Sequence, residues 1–369
     1  MPTSSLRMFG APARYLQGPG ALDALPEHAA CYGTSPLVIG DAHVMKMLGE
    51  RVEALLTDAG LSPVLLTFDG EITRQAIAAL AERAKGHETS LVIGLGGGKS
   101  LDSAKGVAVL LDLPMFTVPT IASNDSPTSA SIAVYDNHHV MIAVDRMQRN
   151  PELVLVDTAL IAQAPVSFLL AGIGDAISKK FEADGCAAGT GITPFGTRPL
   201  ITSIAIADCC YRTIRTHGVA AVEACKRNEV TPDLEALVEA TVLMSGLGFE
   251  NGGLSLAHSL TRGIVKTRDA MDAIHGYQIA WALLVQWAAE DRRDAEIIDL
   301  MEFYREIGLP CSLPDLGMAQ PTAAEIDQMA EWTMVAPHLG NLAQPIDATR
   351  LAAAIRRIES LAGAPAHGR

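Results

Sequence analysis

The chain predicts an α/β protein in two parts: an N-terminal parallel sheet wrapped by helices, then an all-helical C-terminal half. Three observations carry this. Up to Asp157, short apolar runs alternate with helical periodicity, the pattern of strand–helix–strand units. After Pro165 strand-like runs stop, and Ala- and Leu-rich helical segments follow one another to Leu361. A chain of 369 residues also exceeds what one small core organises, so two domains are expected, 1–162 and 163–369.

The elements follow in order. Pro36–Gly40 reads as the first strand and His43–Ala59 as its helix; Pro63–Phe68 and Arg74–Lys85 repeat the pair. Ser90–Gly94 is a third strand, Leu101–Leu111 a helix and Met115–Pro119 a fourth strand. Ser131–Tyr135 and Val140–Val144 flank Asp136–His139 as a hairpin, and Leu153–Asp157 is the last strand. In the helical half, Gly and Pro clusters near 189–199, 251–253 and 308–321 separate the helices. The tail Ala362–Arg369 is expected to be disordered.

Composition narrows the class of partner. The net charge is −14 and the basic residues are scattered, which argues against nucleic acid or an anionic membrane, since both reward a basic face. The six cysteines form no C-x-x-C pair, so they read as buried thiols of a reducing compartment. Met1–Arg7 has no apolar core of a signal peptide, and no apolar run is long enough for a membrane span. A cytoplasmic soluble protein is expected.

The densest signal is Gly94–Lys105, GLGGGKSLDSAK, which follows a strand and opens a helix. That geometry aims free backbone N–H groups and the helix dipole at a phosphate, and Gly96, Gly97 and Gly98 let the backbone come close. A Walker loop would need glycine at Ile93, so that reading is rejected. Lys99 stands where the dinucleotide fingerprint has its third glycine, and a plain strand-to-helix turn is the alternative. Asp41, at the carboxyl end of the first strand, either accepts from a ribose hydroxyl, favouring NAD over NADP, or caps a helix.

Three residues in the helical half are single strong ligands on apolar segments: Asp175, His258 and His275. Two imidazoles and a carboxylate with an open position suit catalytic zinc or iron, but spacing alone does not bring them together. Between the halves, Val118–Ala130 is rich in hydroxyls and carries one acid. Thr120, Ser123 and Ser129 could bond a cofactor there, and Asp125 either bonds a substrate hydroxyl or closes an Asx-turn.

Together these segments resemble the glycerol dehydrogenases of the iron-containing (group III) alcohol dehydrogenase family. The likeness covers nearly the whole chain. It runs through Tyr15–Ala21, Gly94–Lys105, Pro119–Pro127, Ala171–Ala176, Gly248–Gly253 with His258, and His275–Gly276. The resemblance implies the dehydroquinate synthase-like two-domain architecture, with a nucleotide domain and a helical metal-binding domain. It implies NAD contacts at Asp41, Gly98, Lys99, Thr120, Ser129 and Tyr135, with Ser131 acting through its backbone, and Gly96, Gly97, Asp102 and Ser123 complete the candidate cofactor site. It also implies metal ligands at Asp175, His258 and His275, with Asp125 as partner of a substrate hydroxyl. The implied reaction is NAD-dependent oxidation of glycerol to dihydroxyacetone, with one divalent metal, zinc rather than iron, in a homo-oligomer of two to eight subunits.

The chain departs from the family pattern at Asn124, where threonine is usual, and at Tyr277 and Gln278, where Glu-Lys is usual. The segment Arg262–Ala273 is also atypical. These departures bear on the substrate, leaving another 1,2-diol, an amino alcohol or a 2-hydroxy acid as alternatives. Arg262 and Lys266 are the cations a hydroxy acid would need. A non-catalytic nucleotide-binding protein is the reading from a different class.

Overall fold

The computed structural model describes residues 5–137, 141–267 and 269–363. Among these residues the chain divides into two compact units. One is 10–168 with 223–246; the other is 5–9 with 169–222 and 247–363.

In the first unit the strands are β1 Tyr15–Gly18, β2 Pro36–Asp41, β3 Val64–Phe68, β4 Leu91–Gly96 and β5 Met115–Pro119. They are followed by β6 Ser131–Tyr135, β7 Met141–Arg146 and β8 Leu153–Asp157. The helices between them are α1 Leu25–Ala29, α2 Ala42–Asp58, α3 Arg74–Ala84 and α4 Gly98–Leu111, with α5 Thr158–Gln163 after β8. Six strands form one sheet in the order β1-β8-β5-β4-β2-β3, every neighbour parallel. Both faces are buried, and residues alternate between them. Val38 and Ile93 pack with Val44, Leu48 and Val52 of α2, while Leu37, Ile39 and Val92 pack with Ile77, Leu80, Ala104 and Val107 of α3 and α4. A strand covered on both faces needs apolar residues at every position, which is why these strands read as unbroken apolar runs.

The expected strands and helices are present, with the short helices α1 and α5 and one strand added. The sheet's edge strand β1 was not read from the sequence, because Tyr15–Gly18 is short and only half-buried. It is held by Asp157, whose carboxylate accepts from the Gly20 and Leu22 N–H groups at 2.9 and 3.2 Å. The hairpin β6–β7 is antiparallel, with an irregular register at Val134 and Tyr135. Of its connection, residues 138–140 lie outside the described residues, as do 364–369 of the tail.

The helical half continues with α6 Val166–Ile177, α7 Lys179–Ala188, α8 Ile201–Lys226, α9 Pro232–Val238 and α10 Ser245–Gly252. Then come α11 Leu256–Ile264, α12 His275–Ala289, α13 Asp294–Ile307, α14 Ala323–Thr333 and α15 Ala348–Gly363. α15 carries Ala362 and Gly363, which were expected to be disordered. Among the described residues no strand follows β8, and no helix is long and apolar enough to cross a membrane.

The division differs from a single cut at 162/163, because α9 and the π-helical turn Glu239–Met244 belong with the sheet. Glu235 on α9 accepts from Gln17 Nε2 and from Thr158 Oγ1, each at 2.6 Å, and Thr128 Oγ1 donates to the Val242 carbonyl at 2.7 Å. These are polar side-chain bonds between segments more than a hundred residues apart in several cases, and no shift of composition marks them.

A buried ion pair braces the first unit. Lys105 on α4 is fully buried, and its ammonium donates to Asp102 Oδ1 at 3.0 Å, to the Ser126 carbonyl at 2.6 Å and to the Ser131 carbonyl at 2.9 Å. Asp102 Oδ1 also accepts from Ser126 Oγ, and its Oδ2 accepts from the Ala133 N–H at 2.9 Å. Helix, loop and hairpin are thereby tied at one point. Asp102→Ala leaves the ammonium buried without its counter-charge, and is expected to cost about 3–5 kcal/mol of stability. Urea unfolding checks it: the midpoint should fall at unchanged m-value.

Candidate active site

In the helical unit, four helices bring titratable side chains together, with Asp175, Lys179 and Glu182 buried, His258 half-buried and His275 exposed. Asp175 is near the end of α6, Lys179 and Glu182 are on α7, His258 is on α11, and His275 is the first residue of α12. The ligand atoms of Asp175, His258 and His275 all lie within 4.8 Å of one another. His258 Nε2 is 3.2 Å from Asp175 Oδ1, and the two imidazole rings meet edge-on with centroids 5.6 Å apart.

The approach of α6 and α12 is set by two glycines, each beside a ligand. A Cβ on Gly276 would stand 1.8 Å from the Ala171 carbonyl oxygen, and one on Gly174 would stand 2.1 Å from that of Gly276. Only the missing side chains let the helices come this close, and that closeness places His275 against Asp175. The turn before α12 is held by Gln278, whose Nε2 donates to the carbonyls of Ala270 and Ala273 at 3.3 and 3.1 Å. The residue that departs from the family pattern therefore supports the backbone leading into His275.

Glu182 fixes His258. Its Oε2 meets His258 Nδ1 at 2.6 Å and accepts from Ser178 Oγ at 2.9 Å. Its Oε1 accepts from the Ser255 and His258 N–H groups at 2.8 and 3.0 Å. Gln286 of α12 accepts from the Ala257 N–H at 3.0 Å, so the start of α11 is capped by buried side chains from other helices. With Nδ1 committed to Glu182, Nε2 is left to bind whatever sits at the centre.

The electrostatics match this geometry. Burial would raise the Asp175 carboxyl, but Lys179 and His258 hold it well below the usual carboxylate range. Burial likewise opposes ionisation of Glu182, yet His258 and Lys179 bring it down to about 2. Burial pulls His258 down, and Glu182 and Asp175 more than reverse this, leaving it raised. His275 is exposed at the start of α12, but the groups crowded around its ring and the nearby charges of His258 and Lys179 push it down, which leaves a neutral nitrogen donor at neutral pH.

The donor set suits a divalent metal: one carboxylate, two imidazoles and a second carboxylate orienting one of them. A cation already stands in for it. Lys179 Nζ bonds Asp175 Oδ1 at 2.6 Å and His258 Nε2 at 3.1 Å. Neither Lys179 nor Glu182 was singled out from the sequence. With Asp175 they sit at i, i+4 and i+7, one face of a helical stretch, and charge on that face of an apolar segment was the available signal.

In the sheet unit, Gly96 turns the chain out of β4 at φ 134°, a conformation that favours glycine, and α4 starts without a side-chain cap. The loop after β5 covers this start. A Cβ on Gly98 would meet Asn124 Nδ2 at 2.7 Å, and one on Gly97 would meet Ile121 at 2.9 Å. The cradle is thus shaped by glycine, with first-turn N–H groups directed along the helix axis.

Around it, Asp41 caps α2 through the Val44 N–H at 3.0 Å, and its other oxygen accepts from Ser100 Oγ at 2.9 Å. Lys99 is exposed and paired with Glu71 at 2.8 Å. Thr120 and Ser129 are buried and Ser123 half-buried. The Tyr135 N–H donates to the Ile72 carbonyl at 2.8 Å. The Ser131 carbonyl accepts from Lys105, and its buried hydroxyl has no partner among the described residues. Asp102 does not face the cradle as a free carboxylate, since both its oxygens are engaged by the brace. The Asx-turn is formed by Asn124, which accepts from the Ser126 N–H at 3.1 Å; the Asp125 carboxylate is reached by Ser245 Oγ at 3.5 Å.

Residues 12–158 match the family model described as iron-containing alcohol dehydrogenase. Glycolaldehyde reductase of Halobacterium salinarum is 37% identical over 324 residues, covering 88% of this chain and 89% of that protein. Glycerol dehydrogenase of Thermotoga maritima is 37% identical over 321 residues, with 87% of each chain covered. The crystal structure of glycerol dehydrogenase from Schizosaccharomyces pombe superposes with a TM-score of 0.93 at 31% identity, over 97% of this chain and 92% of that one.

Two substitutions test the helical-unit geometry. Glu182→Gln should weaken Zn²⁺ binding about 10–100-fold in competition with a chelator, because His258 loses the partner that fixes its ring. Gly276→Ala should lower stability by about 3 kcal/mol and reduce Zn²⁺ binding as well, since α6 and α12 must separate to admit the methyl group.

Proposed function

Because the chain belongs to the iron-containing alcohol dehydrogenase family, we propose that it oxidises glycerol to dihydroxyacetone with NAD, and runs the reverse reduction. The observation that carries this reading is the convergence of Asp175, His258 and His275 within 4.8 Å, from buried Asp175 through half-buried His258 to exposed His275, with Glu182 orienting one imidazole. One divalent metal, zinc in preference to iron, is the ion this set would hold; when bound it supplies Lewis-acid polarisation of a diol hydroxyl. NAD supplies the hydride acceptor.

The protein's own groups bind and orient. Asp175, His258 and His275 would hold the ion, which would polarise a substrate oxygen. Glu182 keeps the His258 Nδ1 proton, so that Nε2 faces inward. The uncapped first turn of α4, at Gly97, Gly98 and Lys99, receives the pyrophosphate. Asp41 bonds a ribose hydroxyl and repels a 2′-phosphate, which favours NAD over NADP. Thr120, Ser123, Ser129, Ser131 and Tyr135 line the nicotinamide side, and Asp125 accepts from the hydroxyl that is not oxidised. Two adjacent hydroxyls fit an ion with an open face better than one, which favours a vicinal diol. A homo-oligomer in the cytoplasm completes this reading.

The name of the Halobacterium relative, at equal identity, favours a second substrate arm, reduction of a small hydroxyaldehyde. Both are tested together. NADH formation from glycerol, and NADH consumption with glycolaldehyde, are measured on protein as purified, after chelation, and after Zn²⁺ or Fe²⁺ is returned. Turnover of glycerol should disappear on chelation and return with Zn²⁺, and His258→Ala should lower kcat/KM by about 10³-fold. Full turnover in chelated protein would overturn the metal reading, and turnover of glycolaldehyde without glycerol would move the substrate to the aldehyde.

A further inference from the structure

A fully buried lysine normally has its acceptors provided by the fold, as Lys105 has. Lys179 differs in what it is given. It is 1% exposed, and the acceptors that meet its ammonium at 2.6 and 3.1 Å are Asp175 Oδ1 and His258 Nε2, two atoms of the group that would hold the metal. A divalent ion bound by those atoms at about 2.0–2.2 Å would use the same lone pairs that the ammonium now occupies. The charge balance points the same way. Asp175 and Glu182 are two buried carboxylates, so a divalent ion would neutralise them by itself, and adding it beside Lys179 would leave excess positive charge.

We propose that Lys179 is a built-in competitor of the metal: its ammonium fills the site in metal-free protein, and must leave Asp175 and His258 for the ion to enter. This rests on the metal reading above and extends it. The Phe249 ring, with its centroid 5.8 Å from Nζ, offers the displaced ammonium a face to settle on. The arrangement keeps metal-free protein folded, because Asp175 is never buried without a counter-charge, and it makes the metal exchangeable. Lys179 is on this account a residue that sets metal affinity, with no direct part in hydride transfer.

The test is Zn²⁺ affinity by competition with a chromogenic chelator, on full-length wild type, Lys179→Met, Lys179→Gln and an Asp175→Ala control, together with thermal unfolding of chelated protein. Both neutral variants should bind Zn²⁺ on the order of a hundredfold tighter than wild type, since only their metal-free states bury Asp175 without its ammonium. Their chelated forms should unfold at lower temperature than chelated wild type, and Zn²⁺ should restore them. Recovery of folded variant only when Zn²⁺ is present during purification is the same result in stronger form. Variants that bind Zn²⁺ no tighter than wild type, while Asp175→Ala abolishes binding, overturn the competition and leave the metal reading standing. Absence of binding in wild type and both variants overturns the two together, and failure of both variants to fold even with Zn²⁺ overturns the competition.

Discussion

The helical unit is organised by the need to neutralise a carboxylate from which water has been excluded. Asp175 is 2% exposed, on a helix whose other residues from Leu169 to Ile177 are buried and otherwise apolar. A charge there is tolerated only where positive charge and hydrogen bonds surround it. Lys179 arrives from the next turn, His258 from α11 and His275 from the start of α12, each held by a further constraint. Glu182 and Gln286 cap α11 and so fix where His258 stands, and the glycine approach of α6 and α12 fixes His275. Lys179 and His258 compensate the buried Asp175 charge and the other supports fix where the imidazoles stand, so the site and the stability of its surroundings are parts of one arrangement.

The sheet unit solves a related problem differently. Lys105 and Lys179 are both buried ammonium groups, but Lys105 is satisfied by backbone carbonyls and a carboxylate that the fold keeps for it. Its contacts are closed and structural, and they shape the segment from Asn124 to Ser131 that lies over the start of α4. Lys179 has among its acceptors two side chains whose chemistry suits a metal, Asp175 and His258. The same residue type thus braces a loop in one unit and occupies an ion's place in the other, and the difference lies in what its acceptors could bind instead.

Much of the fold was legible. Strands buried on both faces must be apolar throughout, so β2, β4, β5 and β8 announced themselves, and glycines at the end of β4 marked the one turn where a helix start could approach a phosphate. The return of α9 to the sheet was not legible, because it depends on Glu235 meeting Gln17 and Thr158, polar pairs that leave no periodic trace. Asp102 was likewise not legible as a brace: it lies in the glycine-loop segment, and only helical geometry shows it turned inward to Lys105.

By itself the sequence determined most of the sheet unit's strands and helices, the glycine turn after β4 and three lone ligand-type residues on apolar segments, because local periodicity and the cost of burying polar groups act residue by residue. Only the tertiary structure decided that Asp175, His258 and His275 meet, that Glu182 orients one of them, and that Lys179 stands among them. Those outcomes depend on how closely helices from distant parts of the chain approach. That distance is set by packing, down to the absence of a methyl group on Gly276.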